Sequence, residues 1–498
     1  MRAAATIQNI KKRPSGVMLA IILSIIAAGV GIFVAMSDYV MGMLILGGIF
    51  AAAGAILCLV YPVFSFYTTL ILATFISDIG RFTNTSFPLG TVTDLSVLLT
   101  FISILLKKLK TRESLWTYCN SPIVYITIVY VVYTTLLIFN PEAHSTIGAF
   151  SILRRIFVLH LLFYCSIQIF TDIHIIRQFM KALLVAGLLI AGYACYQEWI
   201  GYPAYELNYI WSDTHLVDLY SLGNGSFRKY SFVSDPAVLG MLMAAIALIC
   251  IVFAINIKYK AKTVLPLIIC AILSLLAMSF SGTRTAYFAF VAGIVLYILM
   301  TLHNVKTLLF SSVAILSFVF LLFSPIYSNS TLNRIRSTFK FSNEASMHVR
   351  DANRQRIQPY LRAHPLGGGI GSTAGASRSG RAYQVKESNH PLANFPSDSG
   401  FLRTALETGW IGLIIQCVLF FIILQQGAHA YYNVSERGEK TILLVCVVAL
   451  FCQIISNYAQ EAIGALLNGY LFYPLIAIII RLYPTQQYSF SKPKIQQR

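Results

Sequence analysis

The side chains of this sequence that could do chemistry are mostly arginines, and they gather with polar partners in four places. The first is Arg228-Lys-Tyr-Ser-Phe-Val-Ser-Asp235-Pro236, at the end of a polar stretch. A guanidinium just above an apolar run can hold a phosphate oxygen bidentately; the plainer reading is an interfacial arginine snorkelling to lipid headgroups. Asp235 before Pro236 reads as a helix cap with proline in the first turn. The second place is Ser281-Gly-Thr-Arg284, a tight turn between two apolar runs. A buried arginine there needs an anionic partner, whereas an exposed one is only a turn residue. The third joins Arg350, Arg354 and Arg362, with Ile357 and Leu361 interleaved, to His364-Pro-Leu-Gly367-Gly-Gly-Ile-Gly371. This pattern predicts an amphipathic helix along a membrane surface, then glycine amides that form either an anion nest or simply a turn. The fourth is Asn389-His390 and Phe395-Pro-Ser-Asp398-Ser399, running into an apolar segment. Asp398 is either a general base for a hydroxyl or the N-cap of the next helix. His390 and His364 are further base candidates, each also explained by a structural role.

Other constellations are less informative. The glycine cluster is no nucleotide fingerprint, since no lysine-serine/threonine pair follows it and no strand precedes it. Asp213-Thr-His215-Leu-Val-Asp218 imitates ligand spacing, but one histidine and two carboxylates in a polar loop are ordinarily solvated, so no metal is assigned. Of the nine cysteines, all but Cys119 lie in apolar runs and no C-x-x-C occurs, which argues against zinc and disulfides. Arg154, Arg155, Lys181 and Glu198 lie in or near apolar segments, where a charge marks either a site or a bridge between helices.

The elements that position these groups are membrane helices. Of 498 residues, 57% are hydrophobic and 11% charged, with a mean hydropathy of +0.71, against roughly 25% charged residues in soluble domains. Roughly fourteen apolar runs are long enough to span a bilayer, and 40–60 with 63–79 can be one broken element, so the expectation is twelve to fourteen helices in an all-α polytopic membrane protein. The basic start, with Arg2, Lys11, Lys12 and Arg13, precedes a run at 17–36 that is too long for a signal-peptide core and reads as an uncleaved first helix. Short loops bearing Lys107, Lys108, Lys110 and Arg112, then Lys258, Lys260 and Lys262, then Lys306, and finally Arg481, Lys492, Lys494 and Arg498, all fall on the cytoplasmic side if both termini do. The segments 201–235, 281–284 and about 324–399 then face outward.

The organisation expected is N-terminal membrane helices over 1–200, helices with an outer loop and outer-turn arginine over 201–324, a mostly helical periplasmic loop over 325–399, and C-terminal membrane helices over 400–498. The net charge of +18 has no soluble domain through which to meet nucleic acid. Much of it sits in the long outer loop, which translocates regardless of charge and so calls for an anionic partner.

In order and spacing these pieces resemble the O-antigen ligase and O-antigen polymerase superfamily of bacterial surface-polysaccharide enzymes. The resemblance rests on Arg228 eight residues before Pro236, on Arg284 in a small-residue turn, on His364-Pro-Leu-Gly-Gly-Gly, and on Asp398-Ser leading to Leu402, Glu407 and Gly409. It covers about residues 200–430 with motifs. The resemblance implies metal-independent, inverting glycosyl transfer without a cofactor on the periplasmic face of the bacterial inner membrane. The donor would be a glycan on undecaprenyl pyrophosphate, with Arg228 and Arg284 as pyrophosphate ligands, Arg362 and Arg354 as helpers, and a base late in the loop. The acceptor would be a second glycan or lipid A core, and a chain-length regulator is a candidate partner. Where the ligases have a histidine-asparagine pair this chain has Asp398-Ser399, which leans the expectation to a polymerase of lipid-linked repeat units, with ligase as the alternative. His390 is the substitute base if the loop folds back. A flippase for lipid-linked sugars, which needs a cavity open in turn to both sides, and a structural scaffold are the competing classes.

Overall fold

A computed structural model describes residues 24, 31, 39–83, 89–143, 146–222, 226–257, 261–323, 336, 352, 355, 357–373, 392 and 399–483. The chain divides into two units, Met1–Tyr61 and Pro62–Arg498. The first contains α1 (Tyr39–Val60). The expected run at 17–36 lies almost wholly outside the described residues.

The second unit is a helical bundle. Its elements are α2 (Pro62–Thr83), α3 (Gly90–Thr111), α4 (Pro122–Leu136), α5 (Thr146–Ile169), α6 (Ile173–Trp199), two short helices α7 (Ala204–Trp211) and α8 (Thr214–Tyr220), α9 (Pro236–Asn256), α10 (Ala261–Phe280), α11 (Arg284–Thr301), α12 (Val305–Phe323), α13 (Gly400–Asn433), α14 (Arg437–Ala459) and α15 (Leu466–Leu482). Among the described residues no strand forms, and pairing is limited to an isolated bridge between Ser221 and Phe227. Nine helices in the described residues are long and apolar enough to cross a membrane, with shorter apolar stretches at Gly47–Val60, Thr307–Ser317 and Leu466–Leu482. The protein is therefore an all-α polytopic membrane protein. The segment α3 has the length but carries Thr93, Asp94, Ser96, Thr100 and Ser103, which dilute its apolar character.

The helices start where the sequence supplies capping chemistry. Asp235 accepts from the amides of Ala237 and Val238 with Pro236 in the first turn, as its type and position predict. Proline also opens α4 at Pro122, and Glu436 caps α14 through the amide of Glu439. Two helices form the centre. In α9 and α14, 83% and 78% of the most apolar stretch is buried, against 28–44% in the other spans. Their side chains are enclosed by protein on all sides, while the surrounding helices keep one face outward.

The connections sort to the two ends of the bundle. One end carries 137–143, 200–222, 226–235, 281–283 and 460–465 together with 357–373 and the start of α13; the other carries 112–121, 170–172 and 434–436. Two basic residues expected only to mark the cytoplasmic side are buried at that second end. Arg481 donates to the carbonyls of Phe170 (2.7 Å) and Thr171 (3.3 Å) and lies over the Tyr118 ring. Lys108 donates to the Ser114 carbonyl at 2.8 Å. These charges tie down loop carbonyls as well as marking orientation.

Candidate active site

The polar end of the bundle is built in three parts. The first is the corner at 227–235. Arg81 of α2, buried, donates to the carbonyls of Ser231 (3.1 Å) and Val233 (2.6 Å) and stacks on the Tyr230 ring. Gln197 of α6 accepts from the amides of Ser231 (2.8 Å) and Tyr230 (3.3 Å), and the Ser231 hydroxyl donates to the Ile190 carbonyl. These bonds hold Ser231 at φ +53°, a conformation a serine keeps only when its surroundings impose it.

That clamp aims Arg228. Its backbone amide donates to the Tyr220 carbonyl, its Nε to the Ser281 carbonyl (2.9 Å) and an Nη to the Thr283 hydroxyl (2.9 Å). The Thr283 hydroxyl donates in turn to the Pro236 carbonyl. Gly240 permits this approach, since a Cβ there would meet the Thr283 Cβ at 2.8 Å. Arg284, half-buried, is the first residue of α11 directly after this turn. The structure thus brings Arg228 and the Arg284 turn to one corner, with Lys229 beside them on Glu198 (3.3 Å). Beneath it Glu206 of α7 is fully buried, and both its oxygens accept from Gln197. Burial pushes its carboxyl up from 4.5 to about 7, although the Gln197 bonds and the attraction of Arg81 oppose the rise.

The second part is the described portion of the long loop. Residues 357–363 are helical, with Ile357 and Leu361 buried against Leu392, Ala405 and Leu406, and Arg362 exposed. The described part of the expected amphipathic helix is helical, and its apolar face is covered by the start of α13 rather than offered to a membrane surface. The glycine turn that follows alternates positive φ at Gly367, Gly369 and Gly371. Its leading amides are used internally: Gly367 donates to the His364 carbonyl and Gly368 to the Leu406 carbonyl. The turn fits into a break in α13 at Gly409 (φ 70°, ψ −170°), where the Trp410 amide donates to the Pro365 carbonyl at 3.0 Å. The glycines therefore act as a docking turn. His364 stacks on Tyr360, and its Nε2 lies 3.3 Å from a Glu142 carboxylate oxygen.

The third part is a cavity of about 130 Å³ walled by α4, α5, α13, α14 and α15. Arg403 of α13, buried, pairs with Glu407 (3.0 Å) and with Glu461 in the α14–α15 connection. Arg155 of α5 approaches Glu461 at 3.8 Å, and Thr373 donates to Glu407 at 2.5 Å. Tyr130, Tyr473 and Gln416 also line it. Sequence reasoning missed this cluster because its members are far apart in the chain. The readable signal was Arg403 and Glu407, opposite charges four residues apart on one helical face inside an apolar segment.

Arg354, His390 and Asp398 lie outside the described residues. The cap of α13 is nevertheless defined: the Ser399 side chain accepts from the Leu402 amide, so the capping role considered for Asp398 belongs to its neighbour. Arg154 pairs with Asp94 at 3.2 Å, which with Arg155 and Glu198 makes bridges of three of the four charges flagged near apolar segments. Among the described residues no group of His, Cys, Asp and Glu side chains could hold a metal ion.

Fold and site together define a multi-pass α-helical membrane protein with an arginine corner and an Arg403–Glu407–Glu461 cluster at one end. Residues 269–417 match the family described as O-antigen ligase. The match spans the Arg284 turn, the long loop, the glycine turn, and the Arg403–Glu407 pair with the break at Gly409. It supports the O-antigen ligase and polymerase superfamily read from the motifs, and with it glycan transfer of the ligase/polymerase type in a bacterial membrane. Arg228, Arg155 and Glu461 lie outside the matched stretch. No curated protein matches the chain.

Proposed function

We propose that the protein transfers a glycan from undecaprenyl pyrophosphate to a sugar hydroxyl on the periplasmic face of the inner membrane, both termini being cytoplasmic. In the reaction the acceptor oxygen forms a bond to the anomeric carbon as the bond from that carbon to the phosphate oxygen breaks. The anomeric configuration inverts, undecaprenyl pyrophosphate leaves, and the acceptor proton passes to a base. The observation that carries the reading is the bonding of Arg228 to the turn that launches Arg284. It supports a two-arginine corner where leaving-group charge can be neutralised by preorganised donors, without a metal or other cofactor. Arg228 also acts there as a positioning residue, since its donors grip the turn. Arg362 and Arg354 are the proposed helpers from the loop. Asp398 is the proposed base, with His390 as the alternative.

The favoured product is a polymer of lipid-linked repeat units; ligation to lipid A core is the second reading, favoured by the description of the matched family. A flippase is disfavoured because the Arg403–Glu461 pair sits toward one end and Arg481, bonded to loop carbonyls, toward the other, with the apolar centres of α9 and α14 between. The test is in vitro transfer from undecaprenyl-pyrophosphate glycan, with repeat units and lipid A core offered separately. Arg228→Ala and Arg284→Ala should each abolish product while leaving the protein in the membrane. Full transfer by both variants overturns the pyrophosphate role, and an unaltered pH profile in Asp398→Asn removes Asp398 as base.

A further inference from the structure

We propose that the cavity between α4, α5, α13, α14 and α15 is the subsite for the acceptor sugar, with Glu461, Arg155 and Gln416 as its polar contacts. This rests on the glycan-transfer reading and assigns a part of the site that reading leaves open. The charges favour it. Among the described residues lining the cavity, Arg155 and Arg403 are matched by Glu407 and Glu461. A charge-balanced cluster has little net attraction for a pyrophosphate, but it offers strong donors and acceptors to a ligand rich in neutral hydroxyls. The arginines proposed for the pyrophosphate lie elsewhere, at the Arg228–Arg284 corner. Within the cluster the labour divides by exposure. Arg403 is enclosed and held by two carboxylates, whereas the side chains of Glu461 and Arg155 are 31% and 40% exposed and can turn donor and acceptor edges to a ligand.

Two further observations agree. The Gln416 carbonyl oxygen is buried in the cavity wall without a hydrogen-bond partner, an arrangement that costs free energy until a donor arrives. A sugar hydroxyl is such a donor. The rings of Tyr130 and Tyr473 line the same space and supply the flat apolar surface on which the C–H face of a pyranose rests. Sequence adjacency then links the cavity to the proposed base. Gly400 lines the cavity and Asp398 is two residues before it, so an acceptor seated here presents its hydroxyl near the start of α13. Asn457 steadies the rim by accepting from the Ala462 amide at 3.1 Å, next to Glu461.

The experiment is steady-state transfer in nanodiscs with purified undecaprenyl-pyrophosphate glycan as donor, varying each acceptor preparation in turn. In Gln416→Leu and Glu461→Gln the acceptor KM should rise about fivefold or more, as loss of one hydrogen bond in a dry site implies, while the donor KM moves far less. Glu461→Gln also withdraws a charge from Arg403 and can loosen the rim; Gln416→Leu, a near-isosteric change on the wall, has no ion pair to break. A donor KM that rises instead, or an acceptor KM unchanged in Gln416→Leu, overturns the subsite while leaving the transfer reading intact. Absence of product from the unaltered protein with either acceptor overturns the transfer reading and the subsite with it.

Discussion

Replacing Gly409 by alanine should undock the glycine turn from α13 and suppress the proposed transfer without unfolding the bundle. At φ 70° and ψ −170° Gly409 occupies a region closed to residues with a Cβ, at a cost of about 1–3 kcal/mol. The new methyl would also collide with the Pro365 carbonyl oxygen and come within 2.6 Å of Leu366 and 2.7 Å of the Gly367 nitrogen. These are backbone atoms, so no side chain can swing aside. Relief requires parting the turn from the helix, which breaks the Trp410–Pro365 and Gly368–Leu406 hydrogen bonds at 3.0 and 2.8 Å, about 1 kcal/mol each. The strain and the collision burden the docked state alone, and where they outweigh these two hydrogen bonds, about 2 kcal/mol together, the docked state becomes the minority. Hydrogen exchange should report it as lost protection at the amides of Gly368 and Trp410, with α9 and α14 protected as before. Glycan transfer should fall about a hundredfold. Native protection of both amides together with normal transfer would refute the docking argument.

Other substitutions test the corner and its support. Arg228→Lys keeps the charge but cannot hold the Ser281 carbonyl and the Thr283 hydroxyl at once, so transfer should drop by about tenfold or more even with the ammonium present. For Glu206, whose folded value of about 7 exceeds its ordinary 4.5, the protonated form is the stable one when folded. Its contribution is therefore greatest below pH 4.5 and declines as pH rises toward 7, by about 3 kcal/mol at most. Glu206→Gln should flatten that part of the detergent melting profile, and an unchanged slope would show that the carboxyl does not titrate there. Asp235→Ala removes the acceptor for two amides at the start of α9 and should cost about 1 kcal/mol of thermal stability.

Much of the architecture was legible because a bilayer leaves few solutions. Runs of apolar residues must become helices when no water is present to satisfy the backbone, and Asp235-Pro236 marked a helix start by local chemistry alone. The same logic found the amphipathic segment at 357–363 but not what it packs against, since Ile357 and Leu361 are apolar enough for either a membrane or Leu406. Asp398 and Ser399 are both good caps, and sequence could not choose the serine over its neighbour. The Arg403–Glu407–Glu461–Arg155 cluster was hidden for a different reason. Arg155 alone reads as a site or a bridge between helices and Arg403 with Glu407 as a pair on one helix, and only the packing of α5, α13 and the α14–α15 connection makes them one site.

The buried Arg481 has a consequence for how the protein is made. Its guanidinium binds the carbonyls of Phe170 and Thr171 across 311 and 310 residues of chain, a closure that waits for almost the whole bundle to be synthesised. The α5–α6 connection therefore emerges from the ribosome long before its ligand does. Until α15 inserts, those two carbonyls lack the partner they have in the finished fold, so the last described helix acts as a latch on one of the early hairpins. Non-local pairing of this kind is slow to form. Truncation ahead of residue 481 should leave a chain that inserts but is cleared by quality-control proteases before it matures.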